Sequence, residues 1–228
     1  MNNQIFNQDC YEFMTNIKDK SIDLIVTDPP YELKTSGGCG GMLKSRQKYE
    51  SEAYKKLTNG FDVDKTLETF QRILKKFNLY IFCSNAQISK IMQWGESKGY
   101  STTLLVWHKY NAIPFCNNTW KPDIEFIIHM KEAGAYCKGG STIKSKVTTL
   151  LLVQSEFNHP TEKPIKLIEK FIRIGSKEGD TVFDPFLGAG TTAVAAKSLN
   201  RNFTGCEIEK GYFDTAKKRL ENTQGVLL

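Results

Sequence analysis

Residues 22–31 read Ile-Asp-Leu-Ile-Val-Thr-Asp-Pro-Pro-Tyr, an apolar run that ends in a carboxylate, two prolines and an aromatic ring. An apolar run of this length bounded by proline is typical of a buried strand, because proline cannot donate to a strand ladder. In open α/β sheets, ligands bind beyond the carboxyl ends of the strands. The segment therefore predicts a buried strand with functional groups, Asp28 to Tyr31, at its end.

Residues 181–192 repeat this arrangement in the second half of the chain. A short strand pattern is followed by Asp184-Pro185-Phe186, and then by Gly188 and Gly190 ahead of a helical pattern that opens at Thr191. Glycines at such a turn allow backbone to approach a ligand closely. This second segment predicts a cofactor loop.

The glycine spacing alone leaves two cofactor classes open. It also satisfies the dinucleotide pattern, and Glu207 follows about 20 residues after Gly188, where a ribose-binding acid lies in such proteins. A carboxylate at Asp184 would repel a pyrophosphate but tolerates the sulfonium and ammonium groups of S-adenosylmethionine. Asp184 thus favours S-adenosylmethionine over a nicotinamide or flavin dinucleotide.

Strand and helix patterns alternate along the chain, which predicts a single α/β domain over residues 1–228 with a largely parallel sheet. Strands are predicted at residues 22–27, 79–83, 102–107, 124–129, 148–153, 181–183 and 203–207. Helices are predicted around residues 67–77 with Asp64 as N-cap, after Ser84, from Pro164 to Gly175, at residues 191–199, and from about Lys210.

The composition of the chain indicates what kind of partner, metal content and cellular location to expect. Lys and Arg number 31 against 25 Asp and Glu, a net charge of +6 that suits a polyanionic partner. The six cysteines form no C-x-x-C pair, so we expect reduced thiols and no metal site. The start of the chain lacks a signal-peptide pattern and no stretch is long enough to span a membrane, which predicts a cytoplasmic protein.

Two stretches do not follow the alternation of strand and helix patterns. Residues 33–60 carry clustered glycines and six basic residues against two acidic ones, which predicts a mobile basic loop whose Lys44, Arg46 and Lys48 contact nucleic acid. Residues 108–123 mix aromatic side chains with Lys109 and Lys121, and range 108–146 is a candidate target-recognition insert. For residues 108–123, a loop packed against the sheet edge by its aromatic side chains remains an open alternative.

Together these motifs resemble those of the β class of DNA amino-methyltransferases, in which the catalytic motif precedes the cofactor loop. The resemblance rests on five segments: residues 28–31, 107–111, 125–131, 159–164 and 184–192. It implies the class I methyltransferase fold in permuted motif order: a Rossmann-like, seven-stranded, mostly parallel sheet with one antiparallel hairpin strand, flanked by helices.

The resemblance also implies the chemistry of the first motif. An exocyclic amine on a nucleobase is a poor nucleophile, because its lone pair is delocalised into the ring. Asp28 would accept one amino hydrogen and the Pro29 carbonyl the other, with Pro30 keeping the turn rigid and Tyr31 stacking on a base rotated out of the duplex. The aspartate favours adenine N6, with cytosine N4 as the alternative.

A further set of residues would bind S-adenosylmethionine. Phe186 would form an apolar wall, Glu207 would accept the ribose hydroxyls, and Thr161 and Lys163 would help to enclose the methionine end. The full implied set is Asp9, Cys10, Asp28, Thr161, Lys163, Asp184, Phe186, Gly188, Gly190, Thr191, Thr192 and Glu207.

Four alternatives to an adenine-specific DNA methyltransferase remain open from the sequence. They are an RNA methyltransferase, a catalytically silent DNA-binding subunit, a dinucleotide oxidoreductase and, within the same family, a cytosine N4 enzyme. The intact motifs disfavour the silent subunit. The expected partners are DNA with a short or relaxed target sequence and a cognate restriction endonuclease, with the enzyme a monomer or homodimer.

Overall fold

The backbone of residues 3–30, 61–112, 120–151 and 162–223 is described by a computed structural model. In these ranges the strands are β1 (Gln4–Phe6), β2 (Leu24–Thr27), β3 (Asn78–Cys83), β4 (Ser101–Lys109), β5 (Ile124–Lys131), β6 (Val147–Leu150), β7 (Thr181–Asp184) and β8 (Asn202–Cys206). The helices are α1 (Cys10–Thr15), α2 (Val63–Ile73), α3 (Asn85–Ser97), α4 (Ile165–Gly175), α5 (Thr191–Ser198) and α6 (Lys210–Asn222).

All the strands join one sheet in the order β1-β8-β7-β2-β3-β5-β4-β6. Every neighbouring pair is parallel except the two that involve β5, which runs antiparallel to β3 and to β4. The mostly parallel sheet with one antiparallel hairpin strand is therefore confirmed. The expected number of seven strands is wrong, because β1 adds an eighth at the edge beside β8.

Helices cover both faces of the sheet, as side-chain alternation along the strands requires. Ile25 faces the layer of α1, α2 and α3, whereas Leu24 and Val26 face the layer of α4, α5 and α6. All three side chains are completely buried. Burial on both faces explains why β2 reads as a continuous apolar run.

The N-terminus of α2 differs from the predicted one, because a different aspartate caps the helix. Helix α2 begins after Asp62, whose side chain accepts a hydrogen bond from the Lys65 N–H at 3.1 Å. Asp64, the predicted N-cap, lies inside the helix and pairs with Lys90 at 3.1 Å. The predicted N-cap was therefore wrong by two residues, because either aspartate satisfies the sequence preference and only the backbone decides between them.

The topology brings several strand ends to one side of the sheet, which we call the carboxyl edge. There β2 ends before Asp28, β7 ends at Asp184 and β8 ends before Glu207, while the antiparallel β5 begins. Residues 124–131, within range 108–146, thus form a strand of the sheet, and the role of this range in target recognition stays a prediction. Among the described residues, no helix has the length and apolarity needed to span a membrane.

Candidate active site at the carboxyl edge

Asp28 follows β2 directly, and its two carboxylate oxygens have different surroundings. Oδ2 lies 2.6 Å from the Lys163 ammonium. Oδ1 is buried and has no hydrogen-bond partner in the part of the chain that the structure describes. A buried acceptor without a partner is costly, so this oxygen is suited to receive a donor from a ligand.

Lys163 connects Asp28 to a longer series of alternating charges. Its ammonium lies 3.1 Å from Oε2 of Glu125, and Oε1 of Glu125 lies 2.7 Å from the ammonium of Lys109. We call Asp28, Lys163, Glu125 and Lys109 the charge chain. Its four members come from four of the five segments that carry the family resemblance, and the fold brings them together at the carboxyl edge.

The inner members of the charge chain are held in their charged forms. Burial by itself would lower the pKa of Lys163, but Asp28 and Glu125 outweigh burial and raise this pKa. Burial by itself would raise the pKa of Glu125, but Lys163 and Lys109 outweigh it and lower this pKa. The charge chain is therefore a mutually stabilised set of ions.

Asp184, like Asp28, lies at the end of a strand and precedes a proline, but its carboxylate is surrounded by neutral hydrogen-bond donors. Its carboxylate is 4% exposed and accepts hydrogen bonds from the Thr27 hydroxyl at 2.7 Å and from the Phe186 N–H at 3.1 Å. Burial raises the pKa of Asp184 to about 6, although hydrogen bonds from Thr192 and Thr27 oppose the rise. Asp184 ties β2 to the cofactor loop, and its predicted contact with the cofactor stays a prediction.

Glu207 is held against the glycine loop. Its Oε2 accepts from the Gly188 N–H and its Oε1 from the Glu209 N–H, each at 2.8 Å. Each oxygen keeps a second lone pair, so the carboxylate can still accept ribose hydroxyls. Burial raises the pKa of Glu207. The structure thus places Glu207 beside the loop, and its contact with the ribose stays a prediction.

The glycines of this loop have backbone conformations that explain their identity. Gly188 and Gly190 lie at φ 55° and 85°, in the left-handed region. A Cβ on Gly190 would come within 2.7 Å of the Ala216 Cβ, so the loop packs tightly on α6. Helix α5 begins directly after Gly190, and Thr191 and Thr192 in its first turn are buried.

Pairing of β1 with β8 brings the start of the chain to the same place. The Glu207 N–H donates to the Phe6 carbonyl, and Asp9 and Cys10 follow shortly after. Asp9 is the N-cap of α1, with Oδ1 2.8 Å from the Tyr11 nitrogen. Burial raises the pKa of the Cys10 thiol to about 12. The capping role accounts for Asp9, and adenine contact by either residue stays a prediction.

Aromatic side chains line the loop region. The rings of Phe186 and Phe61 lie with centroids 6.2 Å apart, and both pack against the core under α1 and α2. Phe186 keeps part of its surface exposed. It is therefore placed to form the predicted apolar wall.

The predicted nucleic-acid contacts separate into three groups. Lys109 has a side chain only 13% exposed, and it is bound to Glu125 and lies over the Trp107 ring, so its geometry does not support a phosphate contact. Lys121 is exposed, and Trp120 beside it is 96% exposed. The predictions for Lys44, Arg46 and Lys48 lie outside the described residues, as do the base-stacking role of Tyr31 and the cofactor contact of Thr161.

Comparison with known proteins identifies the family. A family model for DNA methylases of the N6/N4 methyltransferase type matches residues 22–218. The chain belongs to this DNA methylase family. The match includes both Asp-Pro segments and the whole charge chain.

Individual relatives of this DNA methylase extend the match over nearly its full length. The Type II methyltransferase M2.DpnII of Streptococcus pneumoniae is 30% identical over 238 residues, which cover 95% of this chain and 89% of the relative. The crystal structure of the M1.HpyAVI–SAM complex has a TM-score of 0.68 at 31% identity and covers 95% of this chain and 98% of that one. The cytosine-N4-specific PvuII DNA methyltransferase has a TM-score of 0.70 at 17% identity, over 99% of this chain and 94% of that one, which shows a shared fold only.

Sequence reasoning missed the role of Glu125 and assigned Lys163 to the cofactor alone. One signal for Glu125 was available: it is an acid at the start of an otherwise apolar strand pattern, and buried acids are nearly always paired. No sequence signal identified Lys163 or Lys109 as its partners. That pairing follows from the position of β5 between β3 and β4.

Proposed function

We propose that this DNA methylase transfers a methyl group from S-adenosylmethionine to the exocyclic N6 amine of adenine in DNA, at a specific site. The observation that carries the proposal is the unpartnered, buried Oδ1 of Asp28 among the described residues. It lies at the end of a strand that is hydrogen-bonded, through Thr27 and Asp184, to the glycine loop. An acceptor for an amine therefore neighbours a loop suited to a cofactor.

The residues around the loop fit S-adenosylmethionine better than a dinucleotide. Carboxylates of Asp9, Asp28 and Glu207 lie at this edge, and they favour a cation over a pyrophosphate. The tight backbone at Gly188 and Gly190 permits close approach of a ligand. Glu207 would accept the ribose hydroxyls, and Phe186 would contact an apolar face.

Asp28 and the two prolines would prepare the amine. Oδ1 of Asp28 accepts one amino hydrogen and the Pro29 carbonyl accepts the other, which directs the nitrogen lone pair towards the methyl donor. Proline fixes its own backbone φ, so these acceptors need little reorganisation. Tyr31 would stack on the flipped base, since the amine is inaccessible within a duplex.

The transfer itself balances without a further reactant. S-adenosylmethionine, held by the residues around the glycine loop, would supply the methyl group from its sulfonium, and the S–CH₃ bonding pair would stay on the sulfur of the neutral thioether product. The methylated nitrogen would then give up one proton, which the Asp28 carboxylate is positioned to accept and pass to solvent. A carboxylate without a proton acts only as an acceptor, which is what Oδ1 needs in order to bind an amino hydrogen.

Methylation of cytosine N4 is the second candidate. The family includes both types of enzyme, and the described residues around Asp28 accept an amine hydrogen in either case. Aspartate at position 28, where cytosine enzymes of the resembled family more often have serine, favours adenine.

The deciding experiment is direct. The purified protein is incubated with unmodified DNA and S-adenosylmethionine, the DNA is digested to nucleosides, and the modified base and its flanking sequence are mapped. We expect N6-methyladenine. N4-methylcytosine would overturn the adenine assignment, and a thermal shift with NAD but not with S-adenosylmethionine would overturn the methyltransferase assignment.

DNA binding has its own test in the basic loop. Changing Lys44, Arg46 and Lys48 together to Ala should weaken DNA binding and reduce its salt slope by about one unit for each phosphate that the variant no longer neutralises. Cofactor affinity should not change. An unaltered slope by fluorescence anisotropy would instead favour the exposed Trp120 and Lys121 region for DNA contact.

We also propose a cytoplasmic location and a cognate restriction endonuclease that shares the target sequence. The relative from Streptococcus pneumoniae is a Type II methyltransferase, which supports this partner. For the assembly, a monomer or a homodimer is proposed, and sedimentation of the purified protein distinguishes them.

A further inference from the structure

We propose that Lys163 is a positioning residue that fixes the ionised Asp28 carboxylate, and that Glu125 holds Lys163 in place for this role. The inference rests on the proposed function, because it concerns the same acid. It differs from the cofactor role that the resemblance implied for Lys163. Two observations support the inference: the contacts within the charge chain, and the different directions in which the side chains of residues 162 and 163 point.

Burial of Lys163 needs a strong compensation. Its side chain is only 7% exposed, and an ammonium removed from water is destabilising unless it is paired. Two carboxylates, from Asp28 and Glu125, supply the compensation, and the Phe82 ring lies 5.1 Å from the ammonium. Since β2 and β5 both present an acid to this ammonium, the cation sits where it stabilises Asp28.

The ion pair also distinguishes the two oxygens of Asp28. Oδ2 is held at 2.6 Å by Lys163, so the carboxylate cannot rotate freely. Oδ1 is left as the acceptor that faces no partner among the described residues. A fixed acceptor costs no reorganisation when the amine arrives, which is the source of its catalytic effect.

Adjacent residues in this segment serve different parts of the site. Glu162 pairs with Arg219 at 2.7 Å and lies 3.4 Å from the Thr191 hydroxyl at the start of α5. The next residue, Lys163, points the other way, to Asp28. Glu162 therefore supports the glycine loop, whereas Lys163 supports the acid that binds the target amine.

The charges that act on Asp28 define a pH effect. Lys163 places a positive charge beside this carboxylate, whereas the nearby Asp184 carboxylate and Cys83 thiol repel its negative charge when they are ionised. Glu125 acts through Lys163. Loss of the ammonium removes the positive charge beside the carboxylate, so the acid limb of the rate profile should move to higher pH.

The test compares Lys163→Met and Glu125→Gln with the wild type in single-turnover methyl transfer across pH, with saturating S-adenosylmethionine and DNA. We expect Lys163→Met to lower the rate at neutral pH by about 100-fold and to move the acid limb to higher pH. Glu125→Gln should move the limb in the same direction by less. Calorimetry should give a cofactor affinity for both variants close to that of the wild type.

Lys75→Met is the matched control. Lys75 pairs at 2.8 Å with Asp23, which precedes the opposite end of β2. This variant also removes one lysine from an aspartate beside the same strand, but at a distance from the carboxyl edge. Its rate and pH profile should match those of the wild type.

The outcomes separate this inference from the proposed function. An unmoved acid limb in both variants, or a loss of cofactor affinity with an unmoved limb, overturns the positioning role. If Lys163→Met does not fold, the profile of Glu125→Gln decides. A wild-type protein that methylates no DNA would instead contradict the proposed function itself.

Discussion

Two Asp-Pro sequences end two neighbouring strands, and the fold gives them different tasks. Asp28 after β2 keeps 26% of its side chain exposed, bears a buried lysine on one oxygen and leaves the other oxygen without a partner among the described residues. Asp184 at the end of β7 is 4% exposed and accepts hydrogen bonds from the Thr27 hydroxyl and the Phe186 N–H. The dipeptide sets the turn, and neighbours distant in sequence decide what the carboxylate does.

The partners explain the difference between the two acids. Asp184 accepts hydrogen bonds from neutral donors, which do not fully offset its desolvation, so its pKa rises. Asp28 instead has the Lys163 ammonium 2.6 Å from its Oδ2. The hydrogen bonds of Asp184 join β2 to the cofactor loop, whereas Asp28 keeps an acceptor oxygen available to a ligand.

The largest contrast is expected from Asp28→Ala. Methyl transfer should fall by about 100- to 1,000-fold, because the variant removes the acceptor for the target amine. S-adenosylmethionine affinity should change little, since Asp28 lies outside the glycine loop. Single-turnover transfer of a labelled methyl group measures the effect, and a rate within tenfold of the wild type would contradict the role of Asp28.

Glu207, the third carboxylate at this edge, should affect the cofactor alone. Glu207→Gln removes a charge-assisted hydrogen bond to the ribose, worth roughly 1.5–3 kcal/mol, so the cofactor dissociation constant should rise by about 10- to 100-fold. DNA affinity should stay unchanged. Calorimetry checks the first effect and anisotropy the second, and unchanged cofactor affinity would remove Glu207 from the site.

Asp184→Asn should give the smallest effect on activity and a change in the pH dependence of stability. Burial raises the pKa of Asp184 to about 6. The protonated carboxyl therefore contributes fully to the folding stability of the wild type below pH about 4, and this contribution is lost as the pH rises through 6. The shift corresponds to about 2–3 kcal/mol. The asparagine variant lacks this loss.

Melting temperatures measured from pH 4 to 7 test this prediction. The wild type should fall relative to Asp184→Asn as pH rises, with methyl transfer by the variant remaining within about tenfold of the wild type. If the two melting curves change in parallel with pH, Asp184 is ionised in both folded and unfolded states and our account of its environment is wrong.

The sequence predicted most of the architecture because buried parallel strands carry a strong signal. Residues 24–26 and 79–83 are continuous apolar runs, and Pro164 and Gly175 mark the limits of α4. Strand β1 was missed because Gln4–Phe6 is only three residues long and is specified by its pairing with β8. A strand this short lacks the alternation from which a prediction is made.

The site could be predicted only in part, for a similar reason. Local sequence indicates that Asp28 and Glu207 follow strands, and the fold brings both to the carboxyl edge. It does not indicate that Lys163 binds Asp28, because that contact joins segments far apart in the chain. For Asp9, a capping aspartate and a ligand-binding aspartate have the same local sequence.

The hydrogen bond from Thr27 to Asp184 has a thermodynamic consequence. Thr27 immediately precedes the acid that binds the target amine, and Asp184 holds the N–H of Phe186 in the cofactor loop. We predict that ordering of either site through this bond lowers the entropy lost at the other, so that binding of the cofactor and binding of DNA are energetically coupled. Such coupling is reciprocal: whatever factor the cofactor adds to the affinity for DNA, DNA adds to the affinity for the cofactor. A single hydroxyl would thereby link two binding equilibria. Thr27→Val should reduce the DNA affinity of the cofactor-bound enzyme and the cofactor affinity of the DNA-bound enzyme by the same factor.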